Sequence, residues 1–318
     1  VDIDVRVRPV GTPAVDPASG LRDRLASMAV MLGSGLASQT GAAVGAMAFP
    51  VIGPVGVVAV RQWVAAVILL AVGRPQLRAF TRQQWRPVLA LAAVFGTMNL
   101  ALYSAIDRVG LGLAVTLEFL GPLAVALGGA LTARSTRSRR LAVLACPVLA
   151  AVGVLVLTRP QPTTDYVGIG LGLLAASCWA GYILLNRTVG RRFTGVEGSA
   201  AAGAVSALAY VPIGLATLIA HPPTPAALAC AAVAGLLSSA VPFLADLFVL
   251  RRVPAPFFGI FMSVNPVLAA VVGAVVLGEA LAVLDWFAIA LIVTANALGV
   301  LLAPATGPDR AAAEPAPL

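Results

Sequence analysis

Leu113-Ala-Val-Thr-Leu-Glu118-Phe-Leu-Gly-Pro122-Leu-Ala-Val-Ala-Leu127 places an acid and a helix breaker inside a segment apolar enough to span a membrane. A carboxylate at mid-membrane costs roughly 2.5–3.5 kcal/mol on insertion scales unless it faces a partner or a wet cavity. Pro122 lies four residues after Glu118, so a helix running through both loses its bond to the Glu118 carbonyl and bends there. Irregular backbone at that depth is tolerated only where protein buries it or a water-filled cavity receives it.

The second half of the chain repeats the pattern. Sliding the sequence by 144 positions lays Arg108-Val109 on Arg252-Val253 and Pro122 on Pro266, with Asn265 directly before the second proline. Corresponding interruptions in two halves point to a site between internal repeats. Prolines are frequent in membrane helices, so one superposition alone is a weak signal, but the surrounding hydropathy agrees with it.

Composition settles the class. With 60% hydrophobic and 11% charged residues among 318, and a mean hydropathy of +0.97, the chain reads as a polytopic membrane protein whose first partner is the lipid bilayer. A net charge of +8 raises nucleic acid as a partner. The arginines lie between apolar segments instead of forming one patch, so nucleic-acid binding is a poor reading. All 21 basic residues are Arg, which excludes a P-loop lysine, a Schiff base and a Ser–Lys dyad. Cys146, Cys178 and Cys230 stand singly in apolar segments and read as small buried hydrophobes. No cofactor and no metal is expected.

Apolar windows of about twenty residues recur at 27–48, 55–73, 87–106, 110–133, 140–157, 167–186, 199–219, 226–250, 257–277 and 281–302. The expected fold class is therefore an all-α integral membrane protein of ten transmembrane helices, arranged as two inverted five-helix repeats. Residues 1–26 read as a flexible cytoplasmic tail, 27–157 as the first repeat, 158–302 as the second, and 303–318 as a disordered cytoplasmic tail. Eighteen arginines fall on the side of both termini, against Arg108 and Arg159 opposite, with Arg61 inside the membrane. Such asymmetry predicts cytoplasmic termini and, because five is odd, repeats of opposite orientation.

Three charges remain at membrane depth: Arg61, Glu118 and Asp246. Counted from the outer helix ends, Arg61 lies about 9 Å and Glu118 about 12 Å deep, at 1.5 Å per residue, so the two are able to pair. Such a pair either serves transport or merely locks two helices, and Arg61 alone is long enough to snorkel. Asp246, near Arg251 and Arg252, suits a structural ion pair and a gate equally. Gln39, Asn99, Thr116, Ser263 and Asn265 offer hydrogen bonds to a small solute, and Trp179 with Tyr182 offers an aromatic wall. Each of these polar residues is also explained by interhelical bonding, with Asn265 singled out by its proline. Gly41/Gly45 and Gly168/Gly172 have the spacing that permits close helix approach.

Glu118-Phe-Leu-Gly-Pro-Leu-Ala-Val-Ala-Leu127, Cys178-Trp-Ala-Gly-Tyr-Ile-Leu184, Val211-Pro-Ile-Gly214 and Leu277-Gly-Glu279 resemble the EamA-type drug/metabolite transporters. The resemblance runs from about 30 to 302 and is strongest to the bacterial threonine/homoserine exporter branch. It implies two EamA repeats in the cytoplasmic (inner) membrane, export of small amino acids, and proton antiport. Glu118 matches the branch's acid before Gly-Pro, Arg61 the arginine of the second helix, and Asp246 a position that carries Glu in the branch. Asn265 departs from the pattern, since the branch can carry Glu there, and that loss bears on stoichiometry and ammonium binding. Efflux of drugs, purines or other metabolites on the same scaffold is the alternative. An intramembrane enzyme is a weaker reading, because the sole histidine, His221, lies in the Pro-rich connection His221-Pro-Pro-Thr-Pro225. A structural membrane subunit also remains, and a homo-oligomer is compatible with the sequence.

Overall fold

The computed structural model describes residues 17–132, 137–158, 165–190, 192–193, 197–242, 245 and 262–302. These form helices α1 (Pro17–Ala46), α2 (Phe49–Gly73), α3 (Arg82–Val109), α4 (Leu111–Glu118), α5 (Leu120–Thr132) and α6 (Arg137–Thr158). After them come α7 (Tyr166–Gly190), α8 (Glu197–Ala220), α9 (Pro225–Gly235), α10 (Asn265–Val276) and α11 (Val283–Leu302). A π-helical turn, Leu236–Ala240, continues α9. No strand occurs among the described residues.

Helices meet all ten expected windows, but the edges differ. The chain is already helical at Pro17 instead of about 27, because a proline in the first turn is pre-set for helix and propagation from the apolar run costs little. α2 opens at Phe49 and is kinked where Gly53, at φ 65°, precedes Pro54. Only glycine adopts that backbone at little cost. Thr81 and Gln84 form a reciprocal capping box that starts α3 at Arg82, ahead of the apolar window. The expected fourth span is not one helix. It breaks at Phe119, directly after Glu118, so that Pro122 falls in the first turn of α5, where its missing N–H costs nothing. The same break opens α10, after Ser263 and Val264, with Pro266 in its first turn.

Among the described residues four helices, α2, α3, α7 and α8, are long and apolar enough to cross a membrane. Their outward faces carry large apolar side chains such as Val67, Leu208 and Ile219. Small residues line the contacts between helices, as expected where close approach and dispersion replace the hydrophobic effect. Both close-approach pairs are used: Gly41 and Gly45 face Ser238 and Ala234, while Gly168 and Gly172 face Val109 and Leu117.

The packing is regular. α2 lies on α8, α6 on α11 and α4 on α10. α1 packs on α9 and α10, while α7 packs on α3, α4 and α5. Between α2 and α8, Gln62 Nε2 donates to Ser206 Oγ at 2.9 Å and Trp63 Nε1 donates to the Ala207 carbonyl at 3.1 Å. Interhelical bonds of this kind average about 0.6 kcal/mol in membrane bundles, so they set register more than stability. Between the ends of α3 and α7, Arg108 Nη1 meets Asp165 Oδ2 at 2.9 Å in an exposed ion pair. The Gly168 backbone N–H, then Arg108, hold the Asp165 carboxyl below its ordinary value. Its contribution is therefore present at neutral pH and is lost only as pH falls through that lowered value.

Candidate functional site

The breaks in α4–α5 and before α10 point their polar residues into one cavity of about 270 Å³. Seven of the ten polar or aromatic residues expected from the sequence line it: Gln39 from α1, Arg61 from α2, Asn99 from α3, Glu118 from α4, Trp179 and Tyr182 from α7, and Asn265 from α10; Ser263 does not, nor does Thr116, whose hydroxyl donates to the Gly112 carbonyl of its own helix at 2.6 Å. Asp246, with Arg251 and Arg252, lies outside the described residues, as do the two outermost tail segments, 1–16 and 303–318.

Arg61 is 8% exposed and Glu118 6%, deep enough that each needs an account of its charge. Arg61 Nη1 donates to Asn99 Oδ1, and Nη2 donates to the Ser238 carbonyl at 3.1 Å. Asn99 Nδ2 in turn donates to the Phe95 carbonyl at 2.8 Å, which fixes the amide with its oxygen toward Arg61. The guanidinium also stands 4.9 Å from the centre of the Tyr103 ring. The Ser238 carbonyl comes from the π-helical turn, a geometry that releases a backbone acceptor from the regular ladder.

The expected Arg61–Glu118 ion pair does not form. Among the described residues Glu118 makes no hydrogen bond and no ion pair within 4 Å, and the guanidinium is directed instead to Asn99 and the Ser238 carbonyl. α2 begins at Phe49, which puts Arg61 about 18 Å along its helix instead of about 9 Å. The carboxyl is thus left to meet a proton or a cationic group within the cavity. Phe119, the residue of the break, packs edge-on against Trp179 at 4.5 Å and holds the end of α4 against α7.

Across the cavity, Gln39 Nε2 donates to Asn265 Oδ1 at 3.3 Å, and Asn265 Nδ2 donates to the Met262 carbonyl at 3.0 Å. Among the described residues, three polar atoms of the lining are buried without a partner: Arg61 Nε, Tyr103 Oη and Ser239 Oγ. Each can donate, and groups of this kind are rare enough in folded proteins to require a reason.

Sequence reasoning missed Tyr103 and the serines 34, 38, 199, 238 and 239, all of which line the cavity. Ser34 and Ser38, four apart and so on one face of α1 with Gln39 beside them, were a legible signal. It also left Glu279 without a role. The Glu279 carboxylate accepts the backbone N–H of Leu111 at 2.6 Å and of Gly112 at 3.2 Å, capping α4 from the other half of the chain. Gly110, at φ 82°, makes the turn, and a Cβ there would come 3.0 Å from the Glu279 carboxyl carbon. The clue lay in Gly110-Leu-Gly112: a helix start with no Ser, Thr, Asp or Asn of its own must borrow an acceptor.

Over 265 residues the chain is 36% identical to the threonine/homoserine exporter RhtA of Escherichia coli (strain K12), and equally to that of Salmonella typhimurium (strain LT2). The match covers 81% of this chain and 85% of each relative. The chain belongs to the EamA-like transporter family. The family's sequence model matches residues 166–301. A solved crystal structure with 17% identity superposes at a TM-score of 0.60 over 88% of this chain and 98% of its own, which shows a common fold. As an EamA-like transporter the chain is a multi-pass membrane protein that moves a small molecule, and it is not an enzyme.

Proposed function

We propose that the chain exports small amino acids of the threonine/homoserine kind across the cytoplasmic membrane, by proton antiport and alternating access. One observation carries this reading: a guanidinium and a carboxyl, with no hydrogen bond or contact ion pair between them, face one membrane-embedded cavity that uncharged polar groups complete. A zwitterionic solute brings an anion and a cation of its own. Its carboxylate answers Arg61, whose Nε is without a partner, and its ammonium answers Glu118 and the Asn265 amide oxygen. Glu118 then exchanges its proton against the solute. The relatives named as threonine/homoserine exporters support the substrate class.

The helices form two inverted five-helix repeats, over 27–157 and 158–302. Several features support that arrangement. The helix breaks fall at Phe119 and Ser263, which are 144 positions apart. Gln62 bonds Ser206 and Trp63 bonds Ala207, each again across a separation of 144, as residues beside a two-fold axis must. The pairs α2–α8 and α6–α11 each join equivalent helices, and the match of the family's model over 166–301 falls within the second repeat. The cavity reaches Leu69, Leu91 and Ser199, toward the arginine-bearing helix ends, while Val57, Ala43 and Leu111 fill the opposite side. That is the form of an inward-facing state with cytoplasmic termini.

Growth of a sensitive host under toxic threonine, homoserine and analogues tests the function. Expression of the chain is expected to raise resistance to one or more of them, and no gain for any turns the reading toward efflux of other metabolites. For orientation, a cysteine at Thr224 reacts with an impermeant external reagent while one at Arg78 does not; the reverse labelling overturns the inverted repeats. Asn265→Asp adds a second acid to the cavity wall and is expected to change the pH profile of export or the charge moved per solute. An unchanged profile reassigns Asn265 to holding the α1–α10 contact through Gln39.

A further inference from the structure

At the basic end of the bundle a groove opens between the first turns of α3 and the end of α7, lined by Gln83, Arg86, Pro87, Thr188 and Arg192. None of the groups described above uses it. Arg192 is held in place by bonds that leave its charge intact: Nη1 donates to the Gln83 carbonyl at 2.7 Å, and its own backbone N–H donates to the Val189 carbonyl at 2.9 Å. Arg86 has neither a hydrogen bond nor an ion pair among the described residues, where the ion pair of Arg108 with Asp165 lies elsewhere. Two guanidinium groups thus face one groove with no carboxylate paired to either among the described residues.

What borders the groove narrows its occupant. Leu89, one turn beyond Arg86 on α3, is 51% exposed, and Leu184, one turn before Thr188 on α7, is 54% exposed. Both lie on the same helix faces as the groove residues, on the side of the membrane interior. Trp85 packs with Phe80 at 5.5 Å and Phe80 with Phe193 at 4.6 Å, an aromatic cluster whose Trp85 is of a residue type enriched at the headgroup level. A basic groove above an exposed apolar track matches an amphiphile with an anionic head.

We infer that this groove binds the phosphodiester headgroup of an anionic phospholipid, with Arg86 and Arg192 on the phosphate, Gln83 and Thr188 on the polar alcohol, and an acyl chain along Leu89 and Leu184. The lipid clasps α3 to α7, the pair that carries Asn99, Trp179 and Tyr182 to the cavity. This site is independent of which solute the transporter carries.

The test uses the purified full chain, stripped of lipid in detergent. Binding of phosphatidylglycerol, phosphatidylcholine and inorganic phosphate is followed by intact-complex mass spectrometry and by thermal unfolding. Phosphatidylglycerol is expected to bind and raise the unfolding midpoint, and Arg86→Gln with Arg192→Gln to weaken that binding by about tenfold or more. Arg74→Gln with Arg78→Gln, on the same side but outside the groove, is expected to change it less than about twofold. Equal weakening by the two double variants overturns the site. Inorganic phosphate stabilising as well as phosphatidylglycerol, or phosphatidylcholine binding as tightly, overturns the lipid assignment. Should the double variant fail to fold, Arg86→Gln alone decides, because it leaves the Arg192–Gln83 bond in place: several-fold weaker binding supports the site and unchanged binding overturns it.

Discussion

Glu118→Gln is expected to abolish export driven by a pH gradient, by about a hundredfold or more, while the protein still folds and inserts. The substitution keeps shape and hydrogen-bonding capacity and removes the proton. Because Glu118 is not paired with Arg61, the change strands no partner: Arg61 keeps Asn99 and the Ser238 carbonyl. A broken buried ion pair would instead cost roughly 3–5 kcal/mol and show as lost yield or a lowered unfolding midpoint. Stability and flux therefore separate the two roles, and Arg61→Gln in the same chain gives a double-mutant cycle with little coupling in stability. Loss of gradient-driven export with solute counterflow retained puts Glu118 on the proton path. Loss of both puts it in the ammonium site. Normal gradient-driven export by the well-expressed variant contradicts the coupling role.

Glu279→Ala is expected to lower the stability of the folded transporter by about 2 kcal/mol and to reduce export with it. The carboxylate satisfies two backbone N–H groups at the start of α4, and hydrogen bonds to a charged group are worth roughly 1.5–3 kcal/mol each way they are lost. α4 ends at Glu118, so a frayed start displaces the carboxyl at its other end. Glu279→Gln keeps an acceptor and is expected to fall between wild type and Ala. Thermal unfolding of the three proteins in one detergent checks the order, and equal midpoints would show that water caps α4 as well as Glu279 does.

Much of this was legible in the chain because membranes restrict what a sequence can mean. Glu118 and Pro122 in one apolar run permit few structures, and the break at Phe119 is one of them. Asn265 before Pro266 marked the equivalent place in the second half, and both residues reach the same cavity. What stayed hidden is the start of α2, which carries Arg61 deeper than its apolar window implied, and azimuth. Residues per turn give depth along a helix but not which neighbour a side chain meets, so Arg61 and Glu118 were matched by depth while Asn99 and a backbone carbonyl held the guanidinium. The Ser238 carbonyl had no sequence signal, since a π-helical turn is a local winding change that Leu236-Leu-Ser-Ser-Ala240 does not announce. Glu279 was visible as a motif and opaque in role, because its partner lies 168 residues away.

The central claim, that this cavity carries a zwitterionic amino acid, is tested most directly by flux from proteoliposomes of the purified chain loaded with labelled threonine. The expected result is saturable efflux that accelerates when a proton gradient is imposed, is competed by homoserine but not by threoninol, which lacks the carboxylate, and falls at least about tenfold in Arg61→Gln. Efflux no faster than from protein-free liposomes, or equal competition by threoninol and homoserine, would contradict it.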